Sequence, residues 1–96
     1  MMNREQYLLT KLGEEATEIA QIALKTQQFG KGEKYHKHDL NNEERINVEF
    51  NDLLAIVDLL NQEFGYDLKP IPSFKIAKQA KIEQYYEYSK DLGMVE

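Results

Sequence analysis

The sequence predicts an all-α protein, and the prediction depends on two features. Apolar residues recur at helical spacing in three separate stretches, and each stretch is bounded by residues that start or stop helices. No segment alternates apolar and polar residues as a half-buried strand does. Because 96 residues bury little core alone, we expect one domain over residues 1–96, with three main helices that assemble into a helical bundle with a partner chain.

The first helix has a start signal and a stop signal. Asn3 is followed three residues later by Gln6, as in a capping box, and Gly30 offers a C-terminal stop. Apolar residues recur with helical spacing between these signals. The pattern predicts a helix from roughly Arg4 to Gln28.

The second helix is marked in the same way. Asn41 stands three residues before Glu44, and the helical pattern then continues to Phe64, where Gly65 follows. Residues 30–40, which connect the first two helices, are basic and contain glycine, so they predict a loop.

The third helix follows two chain breakers, Pro70 and Pro72. Ser73 is the expected N-cap, and aromatic and aliphatic residues at helical spacing carry the helix to the neighbourhood of Gly93.

Composition excludes several classes of function. Seventeen acidic and 12 basic residues give a net charge of −5, which argues against a nucleic-acid polymer or a membrane surface as the main partner. Cysteine is absent, which excludes disulfides, thiolate catalysis and cysteine-ligated zinc. The N-terminus lacks an apolar signal segment, and the longest apolar run, 53–57, is too short to cross a bilayer. We therefore expect a cytoplasmic protein.

Acidic residues occupy positions on two helices at which the helical periodicity predicts apolar residues. The inward stripe of the first helix contains Leu8, Leu12, Ile19 and Ile22. Glu15 fills the gap in this stripe, and Glu14 and Glu18 lie on the same patch. On the second helix, Glu49 and Asp52 fill gaps in two adjacent apolar stripes.

Such carboxylates need a positive partner. An ionised carboxylate in an apolar helix interface costs several kcal/mol unless it is paired or coordinated. The cations one turn away are few, Lys11 on the first helix and Arg45 on the second. Divalent ions with hard oxygen ligands, Mg²⁺ or Mn²⁺, fit better. The alternative is that both acidic clusters are solvated helix faces.

The two clusters read Glu-Glu-x-x-Glu at 14–18 and Glu-x-x-Asp at 49–52, the latter followed by an apolar run at 53–57. In this order, on two helices, they resemble the signature of the MazG-like, all-α nucleoside triphosphate pyrophosphohydrolases. The resemblance covers about half of the chain, and the spacing between the motifs is long for the family. It implies Mg²⁺-dependent hydrolysis of a (deoxy)nucleoside triphosphate to the monophosphate and pyrophosphate, by a homodimer or homotetramer.

The resemblance also implies residue roles. Glu15, Glu18, Glu49 and Asp52 would ligate the metal. Glu14 would be a further ligand or the base that orients water, so that Glu14 and Glu15 form the catalytic pair.

Substrate phosphates need cations beyond the metal. Lys75, Lys78 and Lys81 fall on roughly one side of the third helix, with Tyr85 available to stack on a base. Solvated lysines and packed tyrosines are the alternative. The loop lysines Lys31, Lys34 and Lys37 are a second possible source of phosphate contacts, whereas His36 and His38 are expected to be solvated.

Two other functions compete with the enzyme. The first is a non-catalytic helical interaction or regulatory module with an acidic, partner-facing surface. The second is a carboxylate-bridged redox bundle, which needs two Glu-x-x-His motifs on regular helices. The chain has this spacing once, at 33–36 among glycines, so we discount the second.

Overall fold

Three helices make up the protein, which a computed structural model describes over residues 1–35 and 39–96. They are α1 (Arg4–Phe29), α2 (Asn42–Phe64) and α3 (Pro72–Asp91). All regular secondary structure in those two ranges is helical, which confirms the predicted fold class. Within the same ranges, no helix has both the length and the apolar character needed to cross a bilayer.

Both predicted capping boxes are present. The Asn3 side chain accepts a hydrogen bond from the Gln6 N–H at 2.8 Å, and the Asn3 N–H donates to the Gln6 side chain at 3.0 Å. Asn41 and Glu44 repeat the arrangement at 2.8 and 3.1 Å. Gly65 ends α2 in the left-handed conformation, with φ 72°. Local sequence signals therefore set all four ends of these two helices to within one residue.

The start of α3 differs from the prediction. Its N-cap is Ile71, which makes no side-chain capping bond, and Pro72 is the first helical residue. Ser73 is therefore not the cap. Proline suits the first helical position because its φ is already helical and its missing N–H has no intrahelical partner to lose.

Helices α1 and α2 pack as an antiparallel hairpin. The buried apolar side chains of the described residues, Leu8, Ile22 and Leu60, come from these two helices. At the open end, Arg4 makes two hydrogen bonds to Glu63, at 2.6 and 2.9 Å. These contacts fix the register of the hairpin.

Helix α3 does not pack on the hairpin. Within the described part of the chain it makes no contact with α1 or α2 and contributes no buried residue. Phe74 and Ile76 are 69% and 65% exposed. The accessible surface of 7839 Å² exceeds by about 2,100 Å² the value expected of a compact monomer of this mass. The single chain thus leaves α3, with exposed apolar side chains such as Phe74 and Ile76, uncovered.

Candidate metal centre

Three carboxyl groups meet near the middle of the hairpin. Glu15 and Glu18 project from α1 and Glu49 from α2. One carboxylate oxygen of each lies within 4.8 Å of the other two. Residues from both helices therefore converge on one position.

The apolar stripes place these side chains. Glu15 and Glu49 are half-buried, as the interrupted stripes predict, because their apolar neighbours turn the same faces inward. Glu18 is exposed and forms the solvent side of the cluster. Being three residues from Glu15, it is rotated by about 60° from the helix contact.

Two oxygens in the cluster have no hydrogen-bond partner. Oε2 of Glu15 and Oε2 of Glu49 are both inaccessible to solvent and unpaired. Across the described residues, no nitrogen of a basic side chain lies within 4.0 Å of the three carboxylates. Buried polar atoms are normally paired, and leaving one unpaired costs about 1–3 kcal/mol.

The crowding changes the protonation of Glu49. The proximity of Glu15 and Glu18, to which Glu49 can donate a hydrogen bond only when it is protonated, together with burial and the repulsion of both neighbours, raises the pKa of Glu49 to about 8. In the metal-free protein at neutral pH a proton thus takes the place of a cation. A divalent ion would compete with that proton for the same oxygens.

The other two predicted acids lie outside this cluster. Glu14 is exposed and forms an ion pair with Lys11, Nζ to Oε2, at 3.0 Å. Asp52 is exposed on the flank of α2. The structure brings together three of the five acidic residues that the sequence analysis singled out.

The predicted substrate residues of α3 lie apart from the cluster. Lys75, Lys78, Lys81 and Tyr85 are all exposed, and their helix does not contact the hairpin in the described chain. Within one chain, the cluster and these residues therefore form no common site. Lys37, His36 and His38, which the sequence analysis considered, lie outside the described residues.

Two other cations border the carboxylates. Lys25 and Arg45 line a groove of about 230 Å³ together with Glu18 and Glu49. Sequence reasoning noted Arg45 only as a neighbour of Glu49 and missed Lys25. The signal was present, because Lys25 is two turns after Glu18 and therefore shares its helix face.

A buried amide fastens the connecting loop to α2. Asn42 is 1% exposed, and its Nδ2 donates to the Gly30 carbonyl at 2.8 Å and to Glu33 Oε2 at 3.0 Å. The backbone N–H groups of Asn42 and Glu43 donate to the carbonyls of Glu33 and Lys31, each at 3.1 Å. The sequence analysis missed Asn42, because it resembles any polar residue after a helix cap.

The arrangement thus combines a solvent-edged carboxylate cluster with a cationic border, a combination suited to a metal ion and an anionic ligand. Comparisons with protein-family models, curated proteins and solved structures found no match for the chain.

Proposed function

We propose that the protein is a Mg²⁺-dependent nucleoside triphosphate pyrophosphohydrolase. The supporting observation is that unpaired, buried carboxylate oxygens of Glu15 and Glu49 converge with Glu18 from two helices. The Glu-Glu-x-x-Glu and Glu-x-x-Asp motifs at 14–18 and 49–52 add the resemblance to the MazG-like enzymes. The reaction would add water at the α-phosphorus and break its bond to the bridging oxygen of the β-phosphate.

The donor set fits a hard divalent cation. Three carboxylates supply only oxygen ligands, which Mg²⁺ and Mn²⁺ prefer to nitrogen or sulfur. Two oxygens bound to one Mg²⁺ lie at most about 4 Å apart, so the three oxygens, which lie within 4.8 Å of one another, would draw together on an ion. Three protein ligands leave coordination positions for water and phosphate oxygens.

Each acidic residue has a proposed role. Glu15, Glu18 and Glu49 hold the ion, and Asp52, one turn after Glu49, is retained as a fourth ligand. Glu14 accepts a proton from the attacking water or joins the ligand set. When bound, the ion neutralises phosphate charge and lowers the pKa of a coordinated water.

Self-association is part of the proposal. The uncovered apolar surface of α3 and the excess accessible area favour a homodimer or homotetramer. In such an assembly, α3 of another copy is the source from which Lys75, Lys78, Lys81 and Tyr85 would reach substrate. Since the substrate is a free nucleotide, we assign the protein to the cytoplasm.

The direct test is an assay for pyrophosphate release. Purified protein is incubated with a panel of ribo- and deoxynucleoside triphosphates, standard and modified, with Mg²⁺, with Mn²⁺, or with a chelator. We expect metal-dependent release from at least one nucleotide. No turnover of any panel member with metal present would refute the enzyme.

A second candidate is a non-catalytic interaction module. The exposed apolar side chains of α3, such as Phe74 and Ile76, favour it, because exposed apolar surface commonly marks a protein contact. The module gives no reason for Mg²⁺ to stabilise the fold, whereas the enzyme predicts a rise in Tm with Mg²⁺. Thermal melts over a Mg²⁺ titration therefore separate the two functions.

A further inference from the structure

A second, larger cleft opens at the loop end of the hairpin. Its volume is about 590 Å³, within the usual range for small-molecule sites. It is lined by Lys25, Phe29, Glu33, Lys34, Tyr35, Asn42 and Arg45. Aromatic side chains and three cations thus surround one cavity.

This cleft adjoins the groove beside the carboxylate cluster. Lys25 and Arg45 line both the cleft and the groove that contains Glu18 and Glu49. A ligand that extends from the cleft past these two cations would therefore meet Glu18 and Glu49.

Both helices present an acidic residue and then a basic residue in the direction of the cleft. Along α1, Glu18, Lys25 and Phe29 lie within about 20° of one helix face. This face therefore presents an acid, then a cation, then an aromatic ring. Along α2, which runs the opposite way, Glu49, Arg45 and Asn42 give an acid, a cation and a wall of the cleft. A nucleotide has a matching order, because its phosphates, which a metal ion and cations bind, are followed by its sugar and base.

The N-terminus of α2 does not compete for the phosphates. Its first N–H groups, those of Asn42, Glu43 and Glu44, already donate to Glu33, Lys31 and the Asn41 side chain. Phosphate oxygens in the cleft must therefore be met by side-chain cations.

We propose that this cleft is the nucleoside subsite of the same centre. The base lies against Phe29 and Tyr35, and the phosphates pass Lys25 and Arg45 to the ion held by Glu15, Glu18 and Glu49. Asn42 is a positioning residue, because it fastens the loop that forms one wall. The inference rests on the proposed function, because that function supplies the metal ion to which the phosphates of the ligand bind.

The test measures binding, so that it does not require turnover. Titration calorimetry with Mg²⁺ uses α,β-methylene triphosphate analogues carrying adenine, guanine, cytosine or uracil, and inorganic triphosphate as the probe without a nucleoside. Phe29→Ser should weaken the tightest analogue about tenfold, since it removes an aromatic ring on which the base stacks, and should leave inorganic triphosphate unchanged. Lys25→Gln should weaken both probes.

Matched variants separate the cleft from general damage. Phe29→Tyr keeps an aromatic ring and should keep the affinity, and Leu24→Ser, an exposed apolar residue of α1 outside the cleft, should also keep it. Lys69→Gln removes a lysine elsewhere and is the control for Lys25→Gln. Thermal melts establish that each variant is folded, and if Phe29→Ser does not fold, Tyr35→Ser takes its place.

The outcomes distinguish the two proposals. Pyrophosphate release by the wild type together with an unchanged affinity of Phe29→Ser for every analogue would overturn the nucleoside subsite alone. Equal weakening of inorganic triphosphate in Phe29→Ser would overturn it as well. Selective weakening of the analogue in a protein that releases no pyrophosphate would support the cleft and refute the enzyme.

Discussion

The α1–α2 hairpin and helix α3 show what local sequence signals can and cannot determine. The hairpin has two capping boxes, buried apolar side chains on both helices, and a connecting loop that is hydrogen-bonded to Asn42. Helix α3 has a comparable length, but no side-chain cap and no buried residue. Both regions are helical, so helix formation and packing are separate problems. Local sequence patterns determine where a helix forms. They do not determine what it packs against, and α3 has no packing partner within the described chain.

The largest expected contrast is catalytic. Glu49→Gln should reduce metal-dependent pyrophosphate release at least about 100-fold, because it removes a charged ligand from the proposed ion. Asp58→Asn, an exposed acid on the same helix, is the matched control and should retain full activity. Full activity of Glu49→Gln would show that the carboxylate cluster is not the site.

The same assay tests α3. Lys78→Gln should change the rate less than about threefold if one chain forms the whole site, since α3 does not contact the hairpin within the described chain. A loss as large as that of Glu49→Gln would show that α3 of another copy reaches the carboxylates.

The assay is repeated with Asp52→Asn, whose loss of activity would establish the fourth ligand.

Removing an apolar side chain should destabilise the protein more in the hairpin than in α3. Leu60→Ala should lower the free energy of unfolding by about 2–5 kcal/mol at every protein concentration, because Leu60 is fully buried. Ile76→Ala, at 65% exposure, should cost less than about 0.5 kcal/mol in dilute solution. A cost for Ile76→Ala that grows with protein concentration would place α3 in an interface between copies. Denaturant unfolding at two concentrations provides the measurement.

The pH dependence should come from the hairpin. The pKa of Glu49 is raised from 4.5 to about 8, so the folded state holds a proton that the unfolded state has released. Without metal, this contribution to stability is complete below about pH 4.5 and is lost as the pH rises through about 8. Thermal melts in chelator from pH 5 to 9 should show the decline, and Glu49→Gln should abolish it. An unchanged decline in that variant would assign it to other groups.

The smallest expected contrast lies in the helix caps. Asn41→Ala should destabilise the protein by about 1 kcal/mol, since its side chain accepts the Glu44 N–H at 2.8 Å. Ser73→Ala should have almost no effect, because α3 begins at Pro72 without a side-chain cap. Equal costs for the two variants would mean that Ser73 caps α3 in solution.

The sequence predicted the parts of the candidate site that depend on periodicity. Glu15 and Glu49 are half-buried because each interrupts an apolar stripe. Asp52 has the same kind of signal but is exposed, since it is rotated by about 60° from Glu49 and one neighbouring helix covers only part of the surface of α2. Periodicity locates a face, but the number of neighbouring helices decides how wide that face is.

The remaining features depend on contacts between distant residues. Asn42 is identified as important only when the path of the loop brings Gly30 and Glu33 to it. Lys25 becomes part of a cationic border only once α2 is placed beside α1. The position of α3 could not be predicted, because its residues give no preference for a particular neighbour within the chain.

The hairpin is fastened at both ends, by the Arg4–Glu63 pair at one and by Asn42 at the other. The carboxylates lie between these two sets of contacts. Their mutual repulsion cannot be relieved by moving the helices apart at either end. Separation in the middle would require both helices to bow, which would disrupt the buried contacts on each side. The folding energy of the hairpin thus holds the carboxylates in a preformed arrangement, and an arriving cation would need to move little of the backbone.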